Sequence, residues 1–232
     1  MAYTSDDYAA LLVQLSANSD EKYRQFNESL MPGTTNTYGV RVPVLRGFAK
    51  ELLKGDWRGF LSVAQDNTHE ELMLQGLVIA GAKCDLSEKL KLLRGFIPKI
   101  NNWAVCDVTA GDCKWKKEQL QTVWDFFEPY LHSESEFEVR FAVVQLMDYF
   151  HGKDWIDRAL AAYRSVKHEG YYVTMALGWG LSVFFVKQRE RTLPLLEKKV
   201  FSPAAHNKAI QKCRESLRVS AEDKVYLNTL KR

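Results

Sequence analysis

Trp103 and Asp107 stand four residues apart in the stretch Asn102-Trp103-Ala104-Val105-Cys106-Asp107. On a helix that spacing puts both side chains on one face, about one turn apart. An aromatic face beside a carboxylate suits a cationic, electron-poor group. Arg140 lies in Glu138-Val139-Arg140-Phe141-Ala142-Val143-Val144, the otherwise apolar start of a later helix. An arginine there either pairs with Glu136 or Glu138 or faces an anion. Trp179 is flanked by Gly178 and Gly180, and each glycine weakens a helix by about 1 kcal/mol relative to alanine. Such glycines admit the close approach of a backbone, a ligand or a tightly packed helix. Each of the four residues also has an ordinary reading: the tryptophans as core, the aspartate as a solvated or salt-bridged group.

Other chemistries lack their residues. The chain contains no His-Glu-x-x-His, no Walker A loop, no Gly-x-Ser-x-Gly and no Gly-x-Gly-x-x-Gly. Its five histidines, His69, His132, His151, His168 and His206, are isolated in sequence. The four cysteines, Cys84, Cys106, Cys113 and Cys213, form no Cys-x-x-Cys pair. Reduced, mostly buried thiols are therefore expected, with neither a metal centre nor a redox motif.

The elements that must position these residues read almost entirely as helix, because apolar residues recur at three- and four-residue spacing and strand-like alternation is scarce. Ser5-Asp6-Asp7 caps a first helix running to about Ser16. Asn18-Ser19-Asp20-Glu21 opens a second, with Tyr23, Phe26 and Leu30 on its apolar face. Pro32 to Thr37 is a loop, Pro43 starts a helix over Val44–Leu53, and Gly55 stops it. Asn67-Thr68-His69-Glu70-Glu71 opens a helix through Lys83. Asp85-Leu86-Ser87-Glu88 opens the next, which ends near Pro98. Asn101-Asn102 caps the helix of Trp103 and Asp107, and Gly111 ends it. Lys117 to Tyr130 is amphipathic. Ser133 to Glu136 precedes the helix of Arg140, Gly152 to Asp154 precedes Trp155–Val166, and Glu169-Gly170 precedes Tyr171–Val186. Three more helices fit between Arg191 and Leu230. Helix pairs repeat about every 35–40 residues, the range of HEAT-type arrays. The fold class expected is all-α: an α-solenoid of HEAT-like repeats, an α-α superhelix, in one domain over residues 1–232, with a compact helical bundle as the alternative. Every second helix of the solenoid would then contribute to one concave face.

Composition agrees with a globular chain: 232 residues, 46% hydrophobic and 26% charged. No apolar run is long enough to span a bilayer. The acidic N-terminus, Met1-Ala2-Tyr3-Thr4-Ser5-Asp6-Asp7, lacks a signal-peptide pattern and points to the cytoplasm. The net charge is +3, unevenly distributed: Lys187–Arg232 carries 12 Lys and Arg against 5 Asp and Glu. Such asymmetry marks either a phosphate-facing end or a solvated helix surface.

Four segments together carry a resemblance: Tyr38-Gly39-Val40-Arg41-Val42-Pro43-Val44-Leu45-Arg46, Asn102-Trp103 through Asp107, Val139-Arg140-Phe141-Ala142, and Ala176-Leu177-Gly178-Trp179-Gly180-Leu181. From about Tyr38 to Ser220 the chain resembles the AlkD-like family of DNA alkylation-repair enzymes, built from HEAT-like repeats. The resemblance implies a DNA glycosylase that excises N3- and N7-alkylated purines from double-stranded DNA without a metal or other cofactor, handling the lesion within the duplex. The family's catalytic aspartate and first tryptophan fall on Asp107 and Trp103. Its helix-start arginine and second tryptophan, the DNA-binding pair, fall on Arg140 and Trp179. A monomer is expected, since the fold needs no partner. Family members often carry a lysine where this chain has Met175 and an arginine where it has Ser182, two possible phosphate contacts that this chain lacks. Two rival readings share the fold: a non-catalytic HEAT-like protein that binds distorted or branched DNA, and a protein-interaction solenoid.

Overall fold

The computed structural model describes residues 2–232, and among them it is all helical. The chain divides into two compact units, Met1–Lys114 and Trp115–Arg232.

Among the described residues the first unit holds seven α-helices: α1 (Ser5–Ala17), α2 (Glu21–Leu30), α3 (Val42–Leu52), α4 (Trp57–Val63), α5 (His69–Gly81), α6 (Leu86–Phe96) and α7 (Trp103–Asp112). Their starts follow local capping chemistry, because a side-chain oxygen at the cap satisfies an otherwise orphaned N–H of the first turn. Thr4, Asp20, Asp56, Thr68, Asp85 and Asn102 each accept such a bond. The short α4 is one that apolar spacing does not delimit: it has seven residues and depends on its Asp56 cap. Alternate helices stack, α3 on α5 and α5 on α7. Every residue of α5 from His69 to Ala80 is buried, as a helix apolar on all sides must be. The C-terminal end of α5 is closed by Lys89 of α6, whose ammonium donates to the carbonyls of Ile79, Ala80 and Ala82 at 2.7–2.8 Å. Burial pushes that ammonium's pKa down.

The second unit holds α8 (Leu120–Phe127), α9 (Glu136–Tyr149), α10 (Ile156–Ser165), α11 (Tyr171–Lys187), α12 (Arg189–Glu197), α13 (Pro203–Glu215) and α14 (Ala221–Thr229). Alternate helices stack here too, α9 on α11 and α11 on α13. Alternate-helix packing in both units is the arrangement of a helical-repeat fold. The amphipathic stretch at Lys117–Tyr130 is one α-helix only over its centre. It opens with a 3-10 turn at Lys117–Gln119 and passes into another at Glu128–His132, where Pro129 has no N–H to continue the α ladder.

One sequence expectation is corrected in α2. Phe26 and Leu30 are not core residues: they are 60% and 45% exposed. The buried position of that helix is Asn27, and Tyr23 is covered by the Arg41 guanidinium, 4.7 Å from its ring centroid.

No helix among the described residues is long and apolar enough to cross a membrane.

Candidate functional site

Helix α7 buries Ala104, Val105, Cys106, Thr109 and Ala110. Trp103, Asp107 and Gly111, spaced by four, are left half-buried along one edge. The burial is tight because Gly76 of α5 faces Thr109. A Cβ on Gly76 would sit 2.0 Å from the Thr109 hydroxyl oxygen, so glycine is what lets α7 approach α5 so closely.

The start of α7 is fixed from several directions. Asn102 Oδ1 accepts the Val105 N–H at 3.0 Å, and its amide nitrogen donates to Asn101 Oδ1 and faces His69 Nδ1 at 3.2 Å. With Oδ1 already accepting, the amide nitrogen is the donor to His69, which leaves the histidine's ring proton on Nε2. The indole N–H of Trp103 donates to the Leu30 carbonyl at 2.9 Å, fastening the aromatic plane to the last turn of α2.

The first turn of α5 ties the surrounding segments together. The His69 N–H donates to the Asn36 carbonyl at 2.9 Å. The buried Glu70 carboxyl accepts the N–H groups of Tyr38, Gly39 and Val40 at 2.8–3.0 Å. Glu71 accepts the hydroxyl of Tyr8. Gly39 has φ +81°, and a Cβ there would lie 2.7 Å from the Asp20 carbonyl oxygen, so that position requires glycine. The Tyr38–Arg46 motif is thus largely scaffolding: its amides sit on Glu70, Arg41 pairs with Asp20 at 2.8 Å, and Arg46 pairs with Asp112 of α7.

In the second unit, Arg140 is 6% exposed. One of its N–H groups donates to the Tyr172 carbonyl at 2.6 Å, while Glu136, one turn earlier, accepts the Tyr172 N–H at 2.5 Å. Residues four apart on α9 therefore hold both backbone groups of one residue at the start of α11. Trp179 is 37% exposed. It stands seven residues beyond Tyr172, so it lies on nearly the same side of α11, about 10 Å along the axis. Its two glycines serve helix packing. A Cβ on Gly180 would lie 2.1 Å from the Tyr163 hydroxyl, and one on Gly178 would lie 2.4 Å from Lys208 Cγ. Ser182 turns inward, its hydroxyl donating to the Trp179 carbonyl at 2.7 Å.

Within the first unit Trp103 and Asp107 stand together on α7, and within the second Arg140 and Trp179 stand on the mutually stacked α9 and α11. Sequence reasoning gave no role to Glu70 or His69. Their visible signal is the Thr68-x-x-Glu71 capping pattern followed by polar residues inside an apolar run. Among the described residues, no cluster of three or more His, Cys, Asp or Glu side chains is placed to hold a metal ion.

Alternately packed helices with aromatic and charged residues on the stacked set define a helical-repeat protein. The family model of the DNA alkylation repair enzymes matches residues 11–213. That span is most of the chain and includes all four candidate residues, so the protein belongs to the DNA alkylation repair enzyme family. Comparison with curated proteins returns no match.

Proposed function

We propose that this protein is a monofunctional alkylpurine DNA glycosylase. It acts on duplex DNA carrying N3- or N7-alkylated purines and hydrolyses the N-glycosidic bond. The observation that carries the reading is the edge of α7, where Trp103 and Asp107 lie one turn apart, half-buried, with the indole fastened to Leu30. Membership of a DNA alkylation repair family supplies the substrate class.

The chemistry suits these residues. Alkylation at N3 or N7 leaves the purine cationic, so when the C1′–N9 bond breaks and its electron pair stays with the base, the base departs neutral. No proton has to be delivered to the leaving group, and no metal is required. What needs stabilising is the positive charge that develops on the deoxyribose. The Asp107 carboxylate does this electrostatically and orients the water that adds at C1′, whose proton is then released. Trp103 and Trp179 pack against sugar and backbone with faces that favour a cation. Arg140, anchored on Tyr172, contributes a phosphate contact that sets register without reading sequence.

Release of free base from duplexes containing N7-methylguanine and N3-methyladenine tests the proposal, with wild type run beside Asp107→Asn. Release by wild type, with the variant folded and DNA-bound but largely inactive, is the expected result. Equal release by both would remove Asp107 from the mechanism. No release by either, with duplex binding intact, would replace the glycosylase by a non-catalytic DNA binder.

A further inference from the structure

Trp179 is partly exposed, yet its own helix offers no cation beside it. From Tyr171 to Val186, α11 contains neither lysine nor arginine. The positive charge at this place comes instead from α13. Lys208 crosses α11 directly over Gly178, the residue before Trp179. The space a Cβ on Gly178 would occupy lies 2.4 Å from Lys208 Cγ, 2.6 Å from its Cβ and 3.0 Å from its carbonyl carbon. The lysine stem therefore lies on the turn of α11 that presents the tryptophan, and Gly178 is what makes room for it. Its ammonium is three bonds beyond Cγ and so stays within about 4 Å of that atom.

The partner of that ammonium is also informative. Lys208 Nζ donates to the neutral Gln211 Oε1 at 2.8 Å. Lys212, one turn on, is paired instead with Glu215 at 2.9 Å, and Arg189 with Asp223 at 2.6 Å. Gln211 also donates to Glu215, at 2.8 Å, so a neutral amide bridges the Lys208 ammonium and a carboxylate whose pKa Lys212 chiefly, and Lys208 in small part, hold down. A half-buried lysine of this kind has a fixed stem and makes no direct ion pair, the Glu215 carboxylate acting on it only through space. It is well suited to an anion that arrives with a ligand, since little side-chain freedom is lost on binding. It also lies within the basic C-terminal stretch of the chain.

We propose that Lys208 is a phosphate-binding residue, holding a backbone phosphate of duplex DNA beside Trp179. The proposal rests on the DNA-repair reading above and adds to it a contact from α13.

The test is the salt dependence of binding to a short, undamaged, fluorescein-labelled duplex, followed by anisotropy. Lys208→Met keeps the stem over Gly178 and removes the charge. Lys208→Gln is the second neutral variant, and Lys208→Arg retains the charge. Each phosphate contact contributes about 0.9 to the slope of log affinity against log salt. The neutral variants should flatten the slope by about that amount with unchanged melting temperatures, and Lys208→Arg should restore it. A wild-type slope in both neutral variants overturns the Lys208 contact while leaving the DNA-binding reading intact. Weaker binding at an unchanged slope also overturns it, because the effect would then be structural. A wild-type protein without salt-dependent affinity for the duplex overturns both.

Discussion

The indole N–H of Trp103 donates to the Leu30 carbonyl, 2.9 Å away. The residues are 73 positions apart in sequence and belong to α7 and α2. The bond makes the last turn of α2 part of the same surface as the candidate carboxylate. The side chains of Leu30 and Phe26 on that helix are exposed.

Trp103→Phe should separate the aromatic face from that anchor. A hydrogen bond of this kind contributes about 1 kcal/mol net, and the carbonyl is near enough to solvent for water to replace the indole. The expected loss in a chain of this size is about 2–4 °C in melting temperature. Excision should fall further than stability, because an unanchored ring no longer holds one orientation beside Asp107. A thermal melt and single-turnover base release, measured on one preparation, check this. Loss of stability without loss of excision would show that the anchor serves folding alone.

Three histidines should make the fold sensitive to mild acid. Burial pushes the pKa of His69, His151 and His206 below the ordinary imidazole value, with nearby Glu70 opposing the shift at His69 and Lys187 adding to it at His151. The Nδ1 atoms of His151 and His206 are buried without a hydrogen-bond partner, so protonation there would place a charged N–H against nothing. A lowered folded-state pKa means that the unfolded chain binds protons first, and stability then rises with pH. Stability should be full above about pH 6.5, the unfolded imidazole value, and should fall as the pH drops from there toward the lowered folded values. Unfolding by urea at a series of pH values between neutrality and mild acid reads this. His206→Gln should reduce the slope, and an unchanged slope would remove His206 from the account.

Much of this was legible in the sequence, for identifiable reasons. Helix starts could be read because Thr68, Asp85 and Asn102 are side chains whose oxygens cap the amides that follow them within three residues. The Trp103–Asp107 pairing could be read because α-helical spacing is regular. The face of α2 could not. Tyr23, Phe26 and Leu30 have the spacing of a core stripe, and only the tertiary structure shows that Phe26 and Leu30 remain outside. The roles of Gly178 and Gly180 were undecided for a similar reason. A glycine in a helix announces a close approach but not what approaches, and here it is Lys208 and Tyr163. Glu70 was invisible because its three partners are backbone amides of a loop some thirty residues earlier, and amides have no sequence signature.

The helical glycines should respond in opposite directions to alanine. Gly47 in α3 has nothing within 4 Å of an added Cβ, so Gly47→Ala should stabilise the fold by about 1 kcal/mol through helix propensity. Gly178→Ala gains the same propensity but drives a methyl group into the stem and backbone of Lys208. The overpacking costs about 1–3 kcal/mol, and the net effect should be destabilising. It should also flatten the salt dependence of DNA binding by displacing the lysine. Denaturant midpoints of the two variants decide the first point. A stabilised Gly178→Ala protein would mean that α11 and α13 can separate at little cost.

Arg140→Ala should reveal whether a nearly buried arginine can serve both the fold and the substrate. Its hydrogen bond to the Tyr172 carbonyl is charge-assisted and partly buried. Removing it deletes a charge-assisted bond worth about 1.5–3 kcal/mol. Glu136 still holds the Tyr172 N–H, so α11 should keep its start and the protein should remain folded at moderate temperature. If Arg140 also reaches a phosphate, the slope of log affinity against log salt should fall by about 0.9 on undamaged duplex. Base release should fall as well, since a lost phosphate contact lets the lesion drift from Asp107. Arg140→Lys should preserve much of the slope but little of the stability, because an ammonium cannot reproduce the guanidinium's planar set of donors. A folded Arg140→Ala protein with a wild-type slope would leave Arg140 as the anchor of Tyr172 only.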